Sequence, residues 1–264
     1  MPLKATSGST VTACLLIIGN EILSGRTQDK NLAFLGQRLN DLGVRLMEVR
    51  VIPDSEATII GSLNEVRRRF DYVFTTGGIG PTHDDITADC VAKAFGRPLI
   101  VNPEARAILE AHYEPGQLTA ARLRMARTPQ GAELIENPVS KAPGFQVENV
   151  FVMAGIPTIM QAMFACLQHR LVGGAPLRSR SVAVELGESF VAEDLAGLQA
   201  RFPEVEIGSY PFNRHGVFGT RLVLRATEED LLDAAAAELD VLLARLGAKA
   251  AWEAAPPAAQ EVQP

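Results

Sequence analysis

The chain has little with which to build a disulfide framework or a zinc site. Its 264 residues hold three cysteines, Cys14, Cys90 and Cys166, far apart and each set among apolar neighbours, which predicts buried thiols. No basic start leads into an apolar targeting segment, and no apolar run approaches the roughly 20 residues that cross a bilayer. Those two absences predict a cytoplasmic protein with no membrane partner. Basic charge is also scarce: 25 Lys and Arg against 31 Asp and Glu leave a formal charge of −6. Broad, non-specific nucleic-acid binding needs a basic face, so nucleic acid is not an expected partner, although a local basic pocket is compatible with the balance. Histidine is rare. His83 falls in a loop and reads as solvated; His112, His169 and His215 read as structural or exposed. What is present, 47% hydrophobic and 21% charged residues, is the composition of an ordinary globule long enough for one large or two modest domains.

The most informative stretch runs from Tyr72 to Asp89, YVFTTGGIGPTHDDITAD. It predicts a buried strand over 72–76, a glycine turn at Gly77, Gly78 and Gly80, a stop at Pro81, two adjacent carboxylates and then a helix. Glycines after a strand let the backbone adopt positive φ and approach a ligand closely. A helix beginning just beyond them turns free N–H groups toward the same place, which suits phosphate. Asp84 and Asp85 would repel a phosphate there, unless one caps the helix and the other holds a hydroxyl or a divalent cation. The run does not meet the GxGxxG dinucleotide fingerprint.

Around this stretch the pattern is a doubly wound one. Residues 13–18 form a continuous apolar run ending at Gly19, as in a strand buried on both faces. Leu32, Leu35, Leu39 and Leu42 fall at helical spacing and stop at Gly43. Residues 44–52 alternate like a strand, Pro53-Asp54-Ser55 opens a helix with the stripe Ile59, Ile60, Leu63, Val66 and Phe70, and 72–76 follows. This βαβαβ order predicts a parallel sheet covered by helices on both sides, with ligands beyond the carboxyl ends of its strands. Glu21, Asp54, Asp84 and Asp85, with the hydroxyls of Ser24, Thr75, Thr76, Thr82 and Thr87, should share that rim. Further on, 129–136 and 146–153 read as strands, and Gly155-Ile156-Pro157 as a second strand-to-helix turn. Arg67-Arg68-Arg69 reads as a solvated helix face. Arg122, Arg124 and Arg127 are either a similar face or phosphate contacts. Gly173-Gly174-Ala175-Pro176 reads as a linker before a small α+β module. There Gly216-Val217-Phe218-Gly219 has the spacing of an RNA-binding KH loop, but it precedes a strand and reads as a hairpin turn.

The motifs Gly19-Asn20-Glu21-Ile22-Leu23-Ser24-Gly25, Pro53-Asp54 and Thr76-Gly77-Gly78-Ile79-Gly80-Pro81-Thr82-His83-Asp84-Asp85-Ile86-Thr87 together resemble the MoaB/Mog molybdopterin-binding fold. The resemblance is closest to the version in competence/damage-inducible CinA-family proteins and in the N-terminal part of eukaryotic FAD synthases. Pro129-Gln130-Gly131, Asn137, Ala142-Pro143-Gly144-Phe145 and Gly155-Ile156-Pro157 are similar to later motifs of that family. The resemblance implies a three-layer α/β/α fold with a mainly parallel sheet over 11–172, and a small α+β, KH-like domain over 177–250. Residues 251–264 are expected to be a disordered tail, and the nicotinamide-nucleotide amidase domain of many relatives is not expected. The implied activity is metal-dependent pyrophosphatase action on a nucleotide diphosphate such as ADP-ribose or FAD. The alternatives are molybdopterin binding or adenylylation in molybdenum cofactor biosynthesis, or a non-catalytic nucleotide-binding module. The implied partner is a phosphorylated small molecule, and the implied assembly a homo-oligomer. Asp54 and Asp85 take the catalytic positions. Gly19, Glu21, Thr76, Gly77, Gly78, Gly80, Pro81, Thr82, Gly144, Gly155 and Pro157 take the substrate-binding ones. Asp84 and Asp85 take a divalent ion, Mg, Mn or Co. Ser140-Lys141 and Ala154 depart from the usual Gly-Thr and Pro.

Overall fold

The computed structural model describes residues 10–214 and 216–253, in two compact units, one up to Gly174 and one from Ala175. The first unit opens with strand β1 (Val11–Ile18), the single-turn helix α1 (Asn20–Leu23), α2 (Asn31–Asp41), β2 (Val44–Ile52), α3 (Glu56–Val66), β3 (Tyr72–Thr76) and α4 (Thr87–Ala94). It continues with β4 (Leu99–Val101), α5 (Pro103–His112), α6 (Ala120–Leu123), β5 (Arg127–Pro129), β6 (Glu133–Ile135), β7 (Gly144–Val147), β8 (Val150–Met153) and α7 (Pro157–Leu167).

Six of these strands form one sheet in the order β2-β1-β3-β8-β7-β6. The first four run parallel; at the far edge β7 pairs antiparallel with β8, and β6 antiparallel with β7. Alternation along β1 explains the three layers. Ala13, Leu15 and Ile17 join Leu35 and Leu39 of α2 and Met160, Met163, Phe164 and Leu167 of α7 in one core. Cys14, Leu16 and Ile18 join Ile59, Leu63 and Val66 of α3 and Cys90 and Val91 of α4 in the other. Successive side chains of a strand point to opposite faces, so a strand apolar at every position needs a helical layer on each side. Burial pushes the Cys14 thiol up to about 12 and the Cys90 thiol up to about 11, and raises Cys166 too.

Three expectations shift. Residues 146–153 form two strands, because the chain reverses at Glu148-Asn149 with Glu148 in the left-handed region at φ 53°. The expected strand over 129–136 is broken at Gly131, φ 76°, between β5 and β6. In α2 the buried positions are Asn31, Leu35 and Leu39, so Leu32, 39% exposed, faces outward and a polar residue takes its place on the apolar stripe.

The second unit holds β9 (Arg178–Val184), α8 (Glu188–Arg201), β10 (Glu206–Arg214), β11 (Val217–Ala226), α9 (Glu229–Arg245) and β12 (Ala250–Trp252). Its antiparallel sheet has the order β10-β11-β9-β12. Val182, Val184, Leu222 and Leu224 face Val191 and Leu198 of α8 and Leu232, Leu239 and Leu243 of α9. Gly216, φ 85°, lies at the tip of the β10–β11 hairpin, and Val217–Gly219 already pair with β10. Residues 251 and 252, assigned from sequence to a tail, pair with β9, and the Glu253 N–H donates to the Ser181 carbonyl at 2.8 Å. Residues 254–264 lie outside the described residues. No helix among the described residues is long and apolar enough to cross a membrane.

Candidate functional site

Because β2, β1, β3 and β8 run parallel, their carboxyl ends meet on one rim. Four sequence-distant turns are stitched together there. The Gly19 N–H donates to Ile52 O at 3.1 Å, the Asn20 N–H to the Asp54 Oδ2 at 2.9 Å, and the Gly77 N–H to Met153 O at 3.1 Å. The fit is too close for side chains. A Cβ at Gly77, φ 101°, would stand 2.2 Å from the carbonyl oxygen of Ile18, and one at Gly155 would stand 3.2 Å from Gly77 Cα. Gly78, φ 70°, faces the Thr87 hydroxyl in the same way, at 2.1 Å. Only glycine combines this backbone with this approach.

The loop after β3 is built differently from the sequence expectation. Neither Asp84 nor Asp85 caps the following helix; α4 starts at Thr87, preceded by Ile86, which makes no side-chain cap. The Thr87 N–H donates to Gly78 O at 3.0 Å and its hydroxyl to Gly77 O at 3.0 Å, so the helix start ties down the glycine turn itself. Asp85 folds back instead. Its Oδ2 accepts from the Thr82 N–H at 2.8 Å and from the Thr82 hydroxyl at 2.5 Å, and it lies where a Gly80 side chain would be, 2.6 Å from the Cβ position. An Asp that can satisfy a tight loop locally has no call to wait for the helix. Asp84 points to solvent. Hydrogen bonding from Thr82, and then from its own backbone, holds its carboxyl below the ordinary range. A hydroxyl has one proton, and the 2.5 Å contact directs it mainly to Asp85. His83 is fully out in solvent, its Nδ1 3.9 Å from Asp84 Oδ1.

Among the other expected site residues, Gly144 has a packing reason to be glycine: a Cβ there would meet Val152 O at 2.3 Å and Met163 Cε at 2.5 Å. Pro157 is the first residue of α7. Glu21 and Pro81 are exposed. Asn31 escapes a purely hydrophobic reading. Its side chain is 2% exposed, and its Nδ2 donates to Gly155 O at 2.8 Å, tying the start of α2 to the β8–α7 turn. Its Oδ1 has no partner, and neither do the buried hydroxyls of Thr75 and Thr76 at the end of β3. Unpaired buried polar atoms are costly, which sets these three apart from the apolar layers around them. An Asn at the i position of an i, i+4, i+8 buried stripe was the available signal.

A recess beside the glycine turn is lined by Gly78, Gly80 and Asp85 and by Arg124 and Arg127. Arg127 pairs with Asp89 at 3.0 Å. Arg122 lies over the Tyr113 ring and donates to Gln117 O, away from that recess. Among the described residues no group of three or more His, Cys, Asp and Glu could hold a metal ion. The available donors are the carboxylates Asp84 and Asp85. That set fits a Mg-like ion bound by one or two carboxylates together with substrate phosphate oxygens, and not a closed protein cage.

Comparison with known proteins agrees with this architecture. Residues 14–172 match the model of the probable molybdopterin binding domain, and residues 176–249 that of the FAD synthase middle domain. A protein of Archaeoglobus fulgidus is 34% identical over 197 residues, 75% of this chain and 84% of its own length. The probable FAD synthase of Caenorhabditis briggsae is 31% identical over 265 residues, 89% of this chain; the chain spans 50% of that relative. The solved structure of the protein CinA, of unknown function, from Thermoplasma acidophilum is 34% identical with a TM-score of 0.58, covering 61% of this chain and 99% of that one. The chain belongs to the molybdopterin-binding-domain family, in its CinA-type form.

Proposed function

We propose that the rim binds a nucleotide diphosphate such as ADP-ribose or FAD and hydrolyses it at the pyrophosphate. The observation that carries this reading is the left-handed Gly77-Gly78 turn at the carboxyl ends of four parallel strands, with Asp54 and Asp85 beside it. Backbone N–H groups of such a turn suit phosphoryl oxygens. Each of the two carboxylates spends Oδ2 on a positioning hydrogen bond and has no hydrogen bond to Oδ1 among the described residues. Asp54 is thereby oriented to receive a proton from an attacking water. Water adds to one phosphorus, the bridging P–O bond breaks, and ADP-ribose gives AMP and ribose 5-phosphate; FAD gives AMP and FMN. A divalent ion carried in with the phosphates and held by Asp84 and Asp85 would offset charge on the phosphoryl oxygens. The probable FAD synthases that match both units support a flavin or adenine nucleotide as the ligand class.

The test is AMP release from ADP-ribose and FAD with Mg, Mn or Co ions. Asp54→Asn is expected to lower turnover by about 100-fold or more, the usual contribution of a positioned general base, with its melting temperature kept close to wild type. No turnover with any of the three ions would sink the hydrolytic reading. The family description favours one other ligand, molybdopterin, to be bound or adenylylated on the same turn; ATP-dependent change of molybdopterin would select it. Tight nucleotide binding with neither reaction would leave a binding module.

A further inference from the structure

We infer that Asn31 serves the site and not the stability of the fold: it is a positioning residue that holds the Gly155 turn against the Gly77 turn. Its effect on turnover rests on the hydrolytic reading above. Asn31 takes the first buried position of α2, 2% exposed, on the stripe that continues with Leu35 and Leu39. A leucine branches at Cγ in the same way and would complete that stripe. Asparagine carries a cost there, because its Oδ1 is buried without a hydrogen-bond partner. Folding does not require the bond that its Nδ2 makes. The acceptor residue, Gly155, is exposed, so water can meet that carbonyl when the side chain is gone. Asn31 does not cap α2 either; the Leu32 N–H donates to Asp29 Oδ1 at 2.8 Å. A local rule broken with no local gain is expected where function is served.

What Asn31 supplies is geometry. Its Nδ2 reaches Gly155 O at 2.8 Å, across 124 residues of sequence. The backbone of Gly155 lies against that of Gly77: a Cβ at Gly155 would stand 3.2 Å from Gly77 Cα and 3.6 Å from Gly77 N. The Gly77 N–H donates to Met153 O at 3.1 Å, so the segment from Met153 to Gly155 forms one wall of the glycine turn. Thr87 forms the other. Its hydroxyl donates to Gly77 O and its N–H to Gly78 O, both at 3.0 Å. Thr87 belongs to α4, which packs on one face of the sheet, whereas α2 and α7 pack on the other. The turn is thus gripped from both layers, and Asn31 fixes the grip on its side. Gly77 and Gly78, at φ 101° and 70°, have no side chains with which to anchor themselves. Such a backbone keeps one conformation only when its neighbours over-determine it. Donors that drift by a fraction of an ångström still bind phosphate but hold it poorly in line for reaction.

The test compares full-length wild type, Asn31→Leu, Asn31→Ala and Leu39→Val. Three quantities are read: the urea midpoint, amide exchange at Gly77, and kcat and KM for AMP release from ADP-ribose. Asn31→Leu is expected to keep or raise the urea midpoint, because it removes an unpaired buried oxygen. It should nonetheless speed Gly77 exchange about ten-fold or more, and lower kcat about 10- to 100-fold with KM within about three-fold of wild type. Asn31→Ala, which removes the donor without adding bulk, stands in for the exchange and kinetic readouts if the leucine variant does not fold. Leu39→Val is the control. It trims a fully buried side chain on the same stripe and keeps the donor, so it should lower the midpoint and leave kcat at the wild-type value. Unchanged Gly77 exchange in Asn31→Leu overturns the positioning role. So does a wild-type kcat in that variant, and so does a fall in kcat that Leu39→Val reproduces. No turnover by wild type overturns the hydrolytic reading instead, and Gly77 exchange then decides the positioning role by itself.

Discussion

Individual glycines set the geometry of the rim, and two of them separate backbone strain from steric exclusion. Gly25 and Gly77 both have positive φ, 70° and 101°, but a Cβ at Gly25 meets nothing within 4 Å, while one at Gly77 meets Ile18 O at 2.2 Å. Gly25→Ala should therefore cost only the left-handed penalty, about 1 to 2 kcal/mol. Gly77→Ala adds a collision with a backbone atom at the end of β1, and should cost at least about 3 kcal/mol. Urea midpoints of the two variants check this; equal destabilisation would mean that the turn relaxes freely. At this same scale the sequence named Asp54 and Asp85 as rim carboxylates but not what they hold. Asp85 satisfies its own loop through Thr82, and Asp54 reaches Asn20 across 34 residues. The first is a local alternative that competes with helix capping; the second depends on strand order, which no local pattern encodes.

Among the elements, α3 carries the clearest charge network. Arg50 on β2 donates to Glu65 at 2.8 and 2.6 Å and to Glu48 at 2.6 Å, and Arg69 reaches Glu65 at 2.9 Å and Glu48 at 3.0 Å. Arg50, and after it Arg69, holds the Glu65 carboxyl down from 4.5 to about 2. A folded pKa below the unfolded one gives stability that is full above pH 4.5 and is lost as pH falls toward 2. Wild type should unfold at a higher urea concentration than Glu65→Gln near neutral pH. The gap should close between about pH 4.5 and 2.5, and shrink in high salt because these groups are largely exposed. A gap independent of pH would assign the difference to packing. Arg69 thus belongs to this network and is not merely a solvated helix charge, while Arg67 lies over the Phe95 ring at 4.2 Å. Arg68, exposed as expected, stays outside that network. Helices and parallel strands were legible because their periodicity repeats over many residues. The β7–β8 hairpin was not, because Glu148 takes a left-handed turn without the glycine that usually announces one.

Over the whole molecule each unit closes its own hydrophobic interior, the first on both faces of its sheet and the second beneath its two helices. The second has a four-stranded sheet covered by α8 and α9, with Val182, Leu222, Leu224 and Leu239 almost wholly buried. Residues 175–253 made alone should unfold in one cooperative transition, as a domain of this size with its own core does. A featureless melting curve would show that the unit needs the rest of the chain. Composition, the βαβαβ rhythm and the motifs through Thr87 by themselves determined the fold class and the meeting of parallel strand ends on one rim. They did so because burial on both faces of a strand and glycine at strand ends are local constraints that leave local marks. Tertiary structure alone decided that Asn31 replaces a leucine on the α2 stripe to hold Gly155 and that Asp85 is spent on Thr82. Those pairings join residues far apart in the chain, or choose between two local partners, and only packing the layers together fixes which atoms meet.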